Sequence, residues 1–225
     1  MQGKVVIVTG AFGALGRVVV KLAEARGARA AQIDYAPAPA EFAAAPLAFG
    51  GVDLADAAAA AEAMRQVRER AGRIDALLNV AGGFTWRTLE DGGADVWERM
   101  YRLNTATAVN ACKAAAPYLI ESKGAIVNVG ANGALKAAAG MGAYAASKSG
   151  VHRLTESLAE ELKGRVRVNA VLPSIIDTAA NRADMPKADF SAWVQPEELA
   201  EVMLFLASDD ASAVTGALLP VTGRV

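Results

Sequence analysis

The chain has 225 residues, of which 53% are hydrophobic and 21% charged, and its formal net charge is -1. This balance predicts a folded protein with a sizeable core and excludes a disordered chain. A nearly neutral sequence without a run of lysine or arginine argues against nucleic acid as a partner. The lone Cys112 cannot form a disulfide within the chain, and its alanine-rich surroundings predict a small buried side chain. No apolar run reaches the roughly 18–20 residues of a membrane helix, so we expect no membrane span and a cytoplasmic protein.

Short apolar runs alternate along the chain with alanine-rich stretches of helical length. The predicted elements, in chain order, are a strand over 5–9, a helix over 15–26, a strand over 30–33, a helix over 55–71, a strand over 74–80, a long helix over 97–119, a strand over 125–129, a second long helix over 144–162, a strand over 166–172, a helix over 196–207 and a last strand over 217–221. Prolines mark a loop over 36–48. Strands that are apolar throughout and separated by helices predict an α/β fold, a single parallel sheet with helices on both faces, in one domain over 1–225.

A glycine-rich turn joins the first predicted strand to the first predicted helix, with the sequence Thr-Gly-Ala-Phe-Gly-Ala-Leu-Gly over 9–16. Glycines let the backbone approach a pyrophosphate, whose charge is attracted by the free N–H groups of the helix N-terminus. Such turns also occur for steric reasons alone, but this one lies where a phosphate site belongs. We therefore predict a doubly wound Rossmann fold that contacts a dinucleotide through Gly10, Phe12, Gly13, Ala14, Leu15 and Gly16.

An aspartate ends the second predicted strand, in Ile33-Asp34-Tyr35. A carboxylate about 20 residues beyond the glycine turn accepts hydrogen bonds from an adenosine ribose and repels a 2′-phosphate. No arginine follows Asp34 directly. We therefore expect NAD(H) to be favoured over NADP(H), the alternative being a solvated aspartate without a ligand.

A phenol and an ammonium group are spaced four residues apart in Tyr144-Ala145-Ala146-Ser147-Lys148, on one face of a predicted helix. A nearby cation favours the phenolate, so Lys148 is expected to lower the pKa of Tyr144 and prepare it for proton transfer. This spacing is common and uninformative alone. In a chain with a dinucleotide site it predicts a catalytic pair.

These motifs, in this order, resemble those of the short-chain dehydrogenase/reductase family along nearly the whole chain. The resemblance implies a nicotinamide-dependent oxidoreductase in which Asn104, of Leu-Asn-Thr over 103–105, holds a water of the proton relay. It also implies cofactor contacts at the adenine, beside the central sheet and at the nicotinamide, by Asp53, Leu54, Asn79, Ala81, Gly82, Pro173, Ile176 and Thr178. In similar proteins the two long helices form subunit contacts, so we expect a homodimer or homotetramer.

The sequence departs from the family pattern at two positions. Ala14 replaces the middle glycine of the turn, with a glycine at Gly13, which should leave phosphate binding intact. Ala131 lies thirteen residues before the tyrosine, where most members carry a serine that donates to the substrate carbonyl. Loss of such a donor typically costs ~10²–10³ in rate for a substrate that needs it.

One branch of the family, the dihydropteridine reductases, is similar at this departure. Its members also have alanine in place of the serine, and their Ala-Gly-Gly-Trp segment is similar to Ala-Gly-Gly-Phe over 81–84. A quinonoid pterin needs a proton donor, which Tyr144 supplies, more than it needs the serine. The alternatives are a generic carbonyl reductase or alcohol dehydrogenase, similar to 3-oxoacyl reductases, that works without the serine, and a nucleotide-binding sensor without turnover.

Several side chains are predicted to border a small-molecule substrate. These are Ala131, Asn132 as a substitute amide donor, and Phe84 and Trp86 as surfaces on which a ring could stack, with lid or core packing as the alternative for both aromatics. His152, the only histidine, is expected to be structural or to face solvent. No metal ligands are expected.

Overall fold

A computed structural model describes residues 1–42 and 45–225. In this part of the chain, seven parallel strands form one sheet in the order β3-β2-β1-β4-β5-β6-β7. The strands are β1 (Val5–Thr9), β2 (Arg29–Ile33), β3 (Ala48–Phe49), β4 (Ala76–Asn79), β5 (Ala125–Val129), β6 (Arg167–Pro173) and β7 (Leu218–Val221). The central strands β1, β4 and β5 are buried along their whole length, as a sheet covered on both faces requires.

Helices cover both faces of the sheet. They are α1 (Ala14–Ala25), α2 (Ala57–Ala71), α3 (Ala94–Met100), α4 (Thr107–Ser122), α5 (Gly142–Glu161), α6 (Ala179–Asp184) and α7 (Pro196–Ala207). Apolar side chains of α1 and α7 share one core with alternate residues of the sheet, while α2, α4 and α5 contribute to the core on the other face. The predicted doubly wound Rossmann fold is therefore confirmed.

The main differences from the predicted elements lie at short or irregular segments. The predicted helix over 97–119 extends from 94 to 122 and contains a π-helical turn, Tyr101–Ala106. The two-residue strand β3 and the short helix α6 were not predicted, because neither is long enough to show a hydrophobic period. In the predicted loop over 36–48, residues 43 and 44 lie outside the described residues.

The position of the site follows from the strand order. Strand β1 pairs with β2 on one side and with β4 on the other, so the chain reverses its direction of progress through the sheet between β1 and β4. Ligands of doubly wound proteins bind at the carboxyl ends of the strands at this switch point. The loops after β1 and β4 therefore border the candidate site. Within 1–42 and 45–225, no helix is long and apolar enough to span a bilayer.

Candidate active site

The loops after β1 and β4 approach each other at backbone distance. Gly10 has a φ of +63°, and a methyl group there would lie 2.9 Å from the main-chain N and Cα of Ala81. A methyl group on Gly16 would lie 2.7 Å from the Cα of Ala11. The Thr9 hydroxyl accepts hydrogen bonds of 3.1 Å from the N–H groups that follow β4, including that of Ala81. These contacts allow only glycine at 10 and 16.

The glycine turn leaves an open N-terminus on α1. Gly13 and Ala14 are exposed, and Gly13, as the N-cap, has no side chain to cap the first-turn amides. These amides carry the positive end of the helix dipole. The φ of Gly13 is -75°, which an ordinary residue also adopts, so the shift of the glycine from 14 to 13 leaves the turn intact. The turn can therefore hold a pyrophosphate.

Replacement of Gly10 by alanine is expected to destabilise the fold by about 2–3 kcal/mol, since the left-handed backbone costs about 1–2 kcal/mol and Ala81 must also move. Gly3→Ala is the matched control, because Gly3 has a φ of +71° and nothing within 4 Å of an added methyl. This control should lose only the backbone cost of about 1–2 kcal/mol. Urea unfolding measures both, and equal losses would contradict the close approach of the two loops.

Asp34 links the end of β2 to the glycine turn. Its carboxylate accepts hydrogen bonds from the N–H groups of Phe12 at 2.8 Å and Ala36 at 2.9 Å. Arg17, which was expected to be solvated, donates to the carbonyl oxygen of Phe12 at 2.8 Å and pairs with Glu41. The partly exposed Asp34 carboxylate can therefore meet a ribose bound beside the turn.

The predicted adenine contacts lie after β3. Asp53 is partly buried, accepts a 2.9 Å hydrogen bond from the N–H of Ala55, and lies 3.7 Å from Arg102. Leu54 is buried, and its carbonyl oxygen accepts a 3.0 Å hydrogen bond from Asn110. The Asp53 carboxylate is thus the group of this pair that remains accessible.

The Asn79 side chain supports the sheet instead of facing the cofactor crevice. It is buried, and its Nδ2 donates to the Oδ1 of Asn128 at 2.8 Å and contacts the Sγ of Cys112 at 3.2 Å. Burial raises the pKa of the Cys112 thiol to about 12, which makes it the inert buried side chain that was expected. Of the three predicted contacts in this segment, Ala81 and Gly82 border the crevice through their backbone.

Asn104 lies in the π-helical turn between α3 and α4. Its Oδ1 accepts the N–H of Gly83 at 2.9 Å, and its Nδ2 donates to the carbonyl of Gly83 and to the Ser147 hydroxyl, both at 3.0 Å. A methyl group on Gly82 would lie 2.5 Å from Asn104 Oδ1 and 3.2 Å from Lys148 Nζ. The amide and the ammonium group therefore meet at the loop that follows β4.

Tyr144 and Lys148 lie on the first turns of α5, but Lys148 does not lower the pKa of Tyr144 as expected. The Lys148 Nζ donates to the carbonyl oxygen of Val129 at 2.8 Å, and among the described residues no hydrogen bond joins it to the Tyr144 hydroxyl. Burial raises the pKa of Tyr144 to about 12 and lowers the pKa of Lys148 to about 8. Desolvation therefore outweighs the pairing, and Tyr144 is a protonated phenol at neutral pH.

Ala131 is held by the helix that carries the pair. It is buried, packs with Ala134, Ala145 and Tyr144, and its N–H donates to the Nε2 of His152 at 3.3 Å. His152 is buried, not solvent-facing, and burial together with the charges of Arg153 and Lys148 lowers its pKa to about 4. A neutral imidazole thus occupies the N–H of the residue that replaces the usual serine.

Phe84 and Trp86 lie beside the tyrosine. The rings of Phe84 and Tyr144 meet edge to face with centroids 4.9 Å apart, and the Trp86 indole donates to the carbonyl oxygen of Ala139 at 2.9 Å. Both aromatic side chains remain about half exposed. Asn132 opens a short 3₁₀ turn, Asn132–Ala134, directly after Ala131.

The family whose sequence pattern is described as short chain dehydrogenase matches residues 4–189. The chain belongs to this family. It is 35% identical to the meso-2,3-butanediol dehydrogenase of Serratia marcescens, over 99% of this chain and 94% of that protein. It is 31% identical to the 3-oxoacyl-[acyl-carrier-protein] reductase FabG of Thermotoga maritima, over 99% of this chain and 98% of the relative.

A solved structure agrees with this membership. The crystal structure of carveol dehydrogenase from Mycobacterium avium in complex with NAD is 30% identical and has a TM-score of 0.85, over 99% of this chain and 97% of that chain. The family and these named enzymes make this short-chain dehydrogenase an oxidoreductase with a nicotinamide cofactor, which favours an enzyme over a sensor without turnover.

The segment after β6 closes the short-chain dehydrogenase site from the other side. Pro173 ends β6, Ile176 forms an isolated parallel bridge with Val194, and Thr178 caps α6 by accepting the N–H of Asn181 at 3.2 Å. These bonds fix the backbone of the predicted nicotinamide segment at the carboxyl end of the sheet.

Sequence reasoning missed three polar residues that hold this site together. Thr9 joins the loops after β1 and β4, Ser147 connects Asn104 to the carbonyl oxygen of Tyr144, and His152 holds Ala131. Ser147 and His152 lie three and eight residues after Tyr144 on α5, so helical spacing from the tyrosine is the signal that could have found them. Within 1–42 and 45–225, no group of three or more metal-ligating side chains is present.

Proposed function

We propose that this chain is an NAD(H)-dependent oxidoreductase that transfers a hydride between the nicotinamide and a small organic substrate, with Tyr144 as proton donor. The observation that carries the proposal is the convergence of Tyr144, Lys148 and Asn104 on the loop after β4, next to a backbone cradle at the end of β1. The proposal treats residues 1–225 as one cofactor-binding and catalytic unit.

The residues of the crevice fit a dinucleotide. Added methyl groups at Gly10 and Gly16 would fill the cradle, the amides of α1 face an exposed turn, and the Asp34 carboxylate stands at the end of the neighbouring strand. Anions bind at such helix N-termini, and a carboxylate at this distance from the turn suits a ribose. Asp53, Pro173, Ile176 and Thr178 extend the proposed contacts toward the adenine and the nicotinamide.

The roles of the catalytic residues follow from their surroundings. A bound nicotinamide ring supplies or accepts the hydride. Tyr144 donates a proton to the substrate, and its raised pKa keeps the phenol protonated for reduction. Lys148 places its ammonium group at Gly82, where it binds the nicotinamide ribose, and it stabilises the phenolate that forms when the proton leaves. Asn104 fixes Gly83 and Ser147 and anchors a water through which Lys148 exchanges protons with solvent.

The preference for NAD(H) over NADP(H) is supported by Asp34, whose charge would repel a 2′-phosphate. The related carveol dehydrogenase was crystallised with NAD, which agrees with this preference.

Asp34→Asn is expected to raise the ratio of kcat/KM for NADPH to that for NADH by about 10–100-fold. Two like charges a few ångströms apart near a protein surface interact by about 1–4 kcal/mol, which the neutral amide removes. Steady-state kinetics with both cofactors and one acceptor measures the ratio. A ratio that stays at the wild-type value would place the ribose away from Asp34.

Two substrate classes compete within this proposal. The relatives favour a carbonyl compound or its alcohol, handled without the usual serine, because they are a butanediol dehydrogenase and an oxoacyl reductase. A quinonoid dihydropterin is the second candidate, favoured by Ala131 and by the Phe84 ring that packs on Tyr144.

The test of the proposed function is NADH oxidation with a panel of acceptors, including open-chain ketones, cyclic ketones and quinonoid dihydropterin. We expect at least one acceptor to be reduced at a rate proportional to enzyme concentration. NADH binding without consumption of any acceptor would overturn the proposal and restore the sensor without turnover.

The proposal extends to a cytoplasmic homodimer or homotetramer with no nucleic-acid partner. Its support is a set of large apolar side chains that remain partly exposed on α3 and the π-helical turn, namely Trp97, Tyr101 and Leu103. A second copy of the chain would cover them.

A further inference from the structure

Two aromatic rings form an exposed wall next to the Tyr144 side chain. Phe84 is 53% exposed and Trp86 is 49% exposed, although both belong to a loop that is tied down. The N–H of Arg87 donates to the carbonyl oxygen of Gly140 at 2.8 Å, and a methyl group on Gly140 would lie 2.2 Å from the Trp86 ring. The loop after β4 therefore holds the wall against the segment that leads into α5.

The position of the reacting group follows from the Phe84 ring. It meets the Tyr144 ring edge to face with centroids 4.9 Å apart. A substrate atom that accepts the Tyr144 proton must lie within about 3 Å of its hydroxyl. The remainder of such a substrate is therefore within reach of the Phe84 and Trp86 rings.

The surface under the tyrosine is apolar as well. Ala131, Ala134 and Ala145 pack together with Tyr144. The N–H of Ala131 is already bound to His152, so it is not free to bind a substrate hydroxyl. An open-chain polyol needs several hydrogen-bonding partners, and desolvating a hydroxyl without one costs about 1–3 kcal/mol.

We infer that the substrate carries a flat or alicyclic ring that packs against Phe84 and Trp86, which are specificity-determining residues of this site. Aromatic pairs contribute about 0.5–1.5 kcal/mol beyond the area that they bury. The inference depends on the proposed function. In the reaction, the carbonyl carbon accepts the hydride from NADH and the carbonyl oxygen accepts the Tyr144 proton, so that a cyclic ketone becomes a secondary alcohol and NADH becomes NAD⁺.

The experiment compares a bicyclic ketone, 2-tetralone, with the open-chain 2,3-butanedione. With the wild-type enzyme, we expect kcat/KM for 2-tetralone to be at least about 10-fold higher, the equivalent of about 1.4 kcal/mol. Phe84→Leu and Trp86→Leu should each lower it by about 5–10-fold, mainly through KM, while the values for 2,3-butanedione stay within about twofold. Phe205→Leu, at a similarly exposed ring on α7, should change neither value.

The outcomes separate this inference from the proposed function. Reduction of 2,3-butanedione without a preference for the ring, or equal losses for both ketones in the leucine variants, would overturn the inference and leave the proposed function standing. Failure to reduce any acceptor would overturn both. Turnover of quinonoid dihydropterin with the same loss in both variants would support the ring and identify a heteroaromatic one.

Discussion

Replacement of Tyr144 by phenylalanine is expected to lower kcat for ketone reduction by about 10³-fold and to leave the dissociation constant for NADH within about twofold. General acid catalysis by a positioned group contributes about 10²–10⁴-fold, and phenylalanine keeps the ring while removing the proton donor. Among the described residues the Tyr144 hydroxyl has no hydrogen-bond partner, so its loss leaves no donor or acceptor unsatisfied. The free energy of unfolding should therefore change by less than about 1 kcal/mol.

Tyr118→Phe is the matched control for this prediction. Tyr118 lies on α4 and packs against the core formed with α2, toward the opposite edge of the sheet. The control should keep wild-type kcat. The decisive measurements are single-turnover reduction and NADH fluorescence titration with both variants. Wild-type kcat in Tyr144→Phe would remove the phenol from the mechanism and leave only cofactor binding.

Much of the fold could be predicted because its signals are local. Buried parallel strands such as β1 and β5 are apolar at every position, and the glycine turn after Thr9 marks the first crossover. The Tyr144–Lys148 pair could be predicted in the same way, since four residues on one helix place two side chains on one face whatever the rest of the chain does.

The contacts across the site could not be predicted, because they depend on residues distant in sequence. Whether Lys148 lowers the pKa of Tyr144 depends on burial and on the carbonyl of Val129, nineteen residues away. His152 could be assigned to the core or to the solvent from its sequence neighbours, and only the approach of β5 to α5 decides for Ala131 and the core.

Lys148→Met is expected to stabilise the cofactor-free protein at pH 7 by about 2 kcal/mol while lowering kcat/KM by about 10²-fold or more. Burial lowers the pKa of Lys148 from 10.5 to about 8, a difference that corresponds to about 3 kcal/mol. Loss of the hydrogen bond to Val129 takes back about 1 kcal/mol. The activity falls because the ammonium group that stabilises the Tyr144 phenolate is gone.

The pH dependence of this stabilisation has a defined sign. Because the pKa is lower in the folded state, the unfolded chain binds more protons between pH 8 and 10.5, and the stability of the wild type rises with pH in that window. Below pH 8 the lysine is charged in both states, and the cost of burying its charge is fully present. The advantage of Lys148→Met should therefore be largest at pH 7 and nearly absent at about pH 9.5.

Urea unfolding of wild type and Lys148→Met at these two pH values tests the prediction, because the difference between the proteins cancels other groups that titrate. Lys113→Met is the control, since Lys113 is exposed on α4 and should change stability by less than about 0.5 kcal/mol at either pH. A difference between wild type and Lys148→Met that does not vary with pH would mean that the folded protein does not hold a desolvated ammonium group. In that case the buried charge beside Gly82, on which the proposed role of Lys148 depends, would be absent.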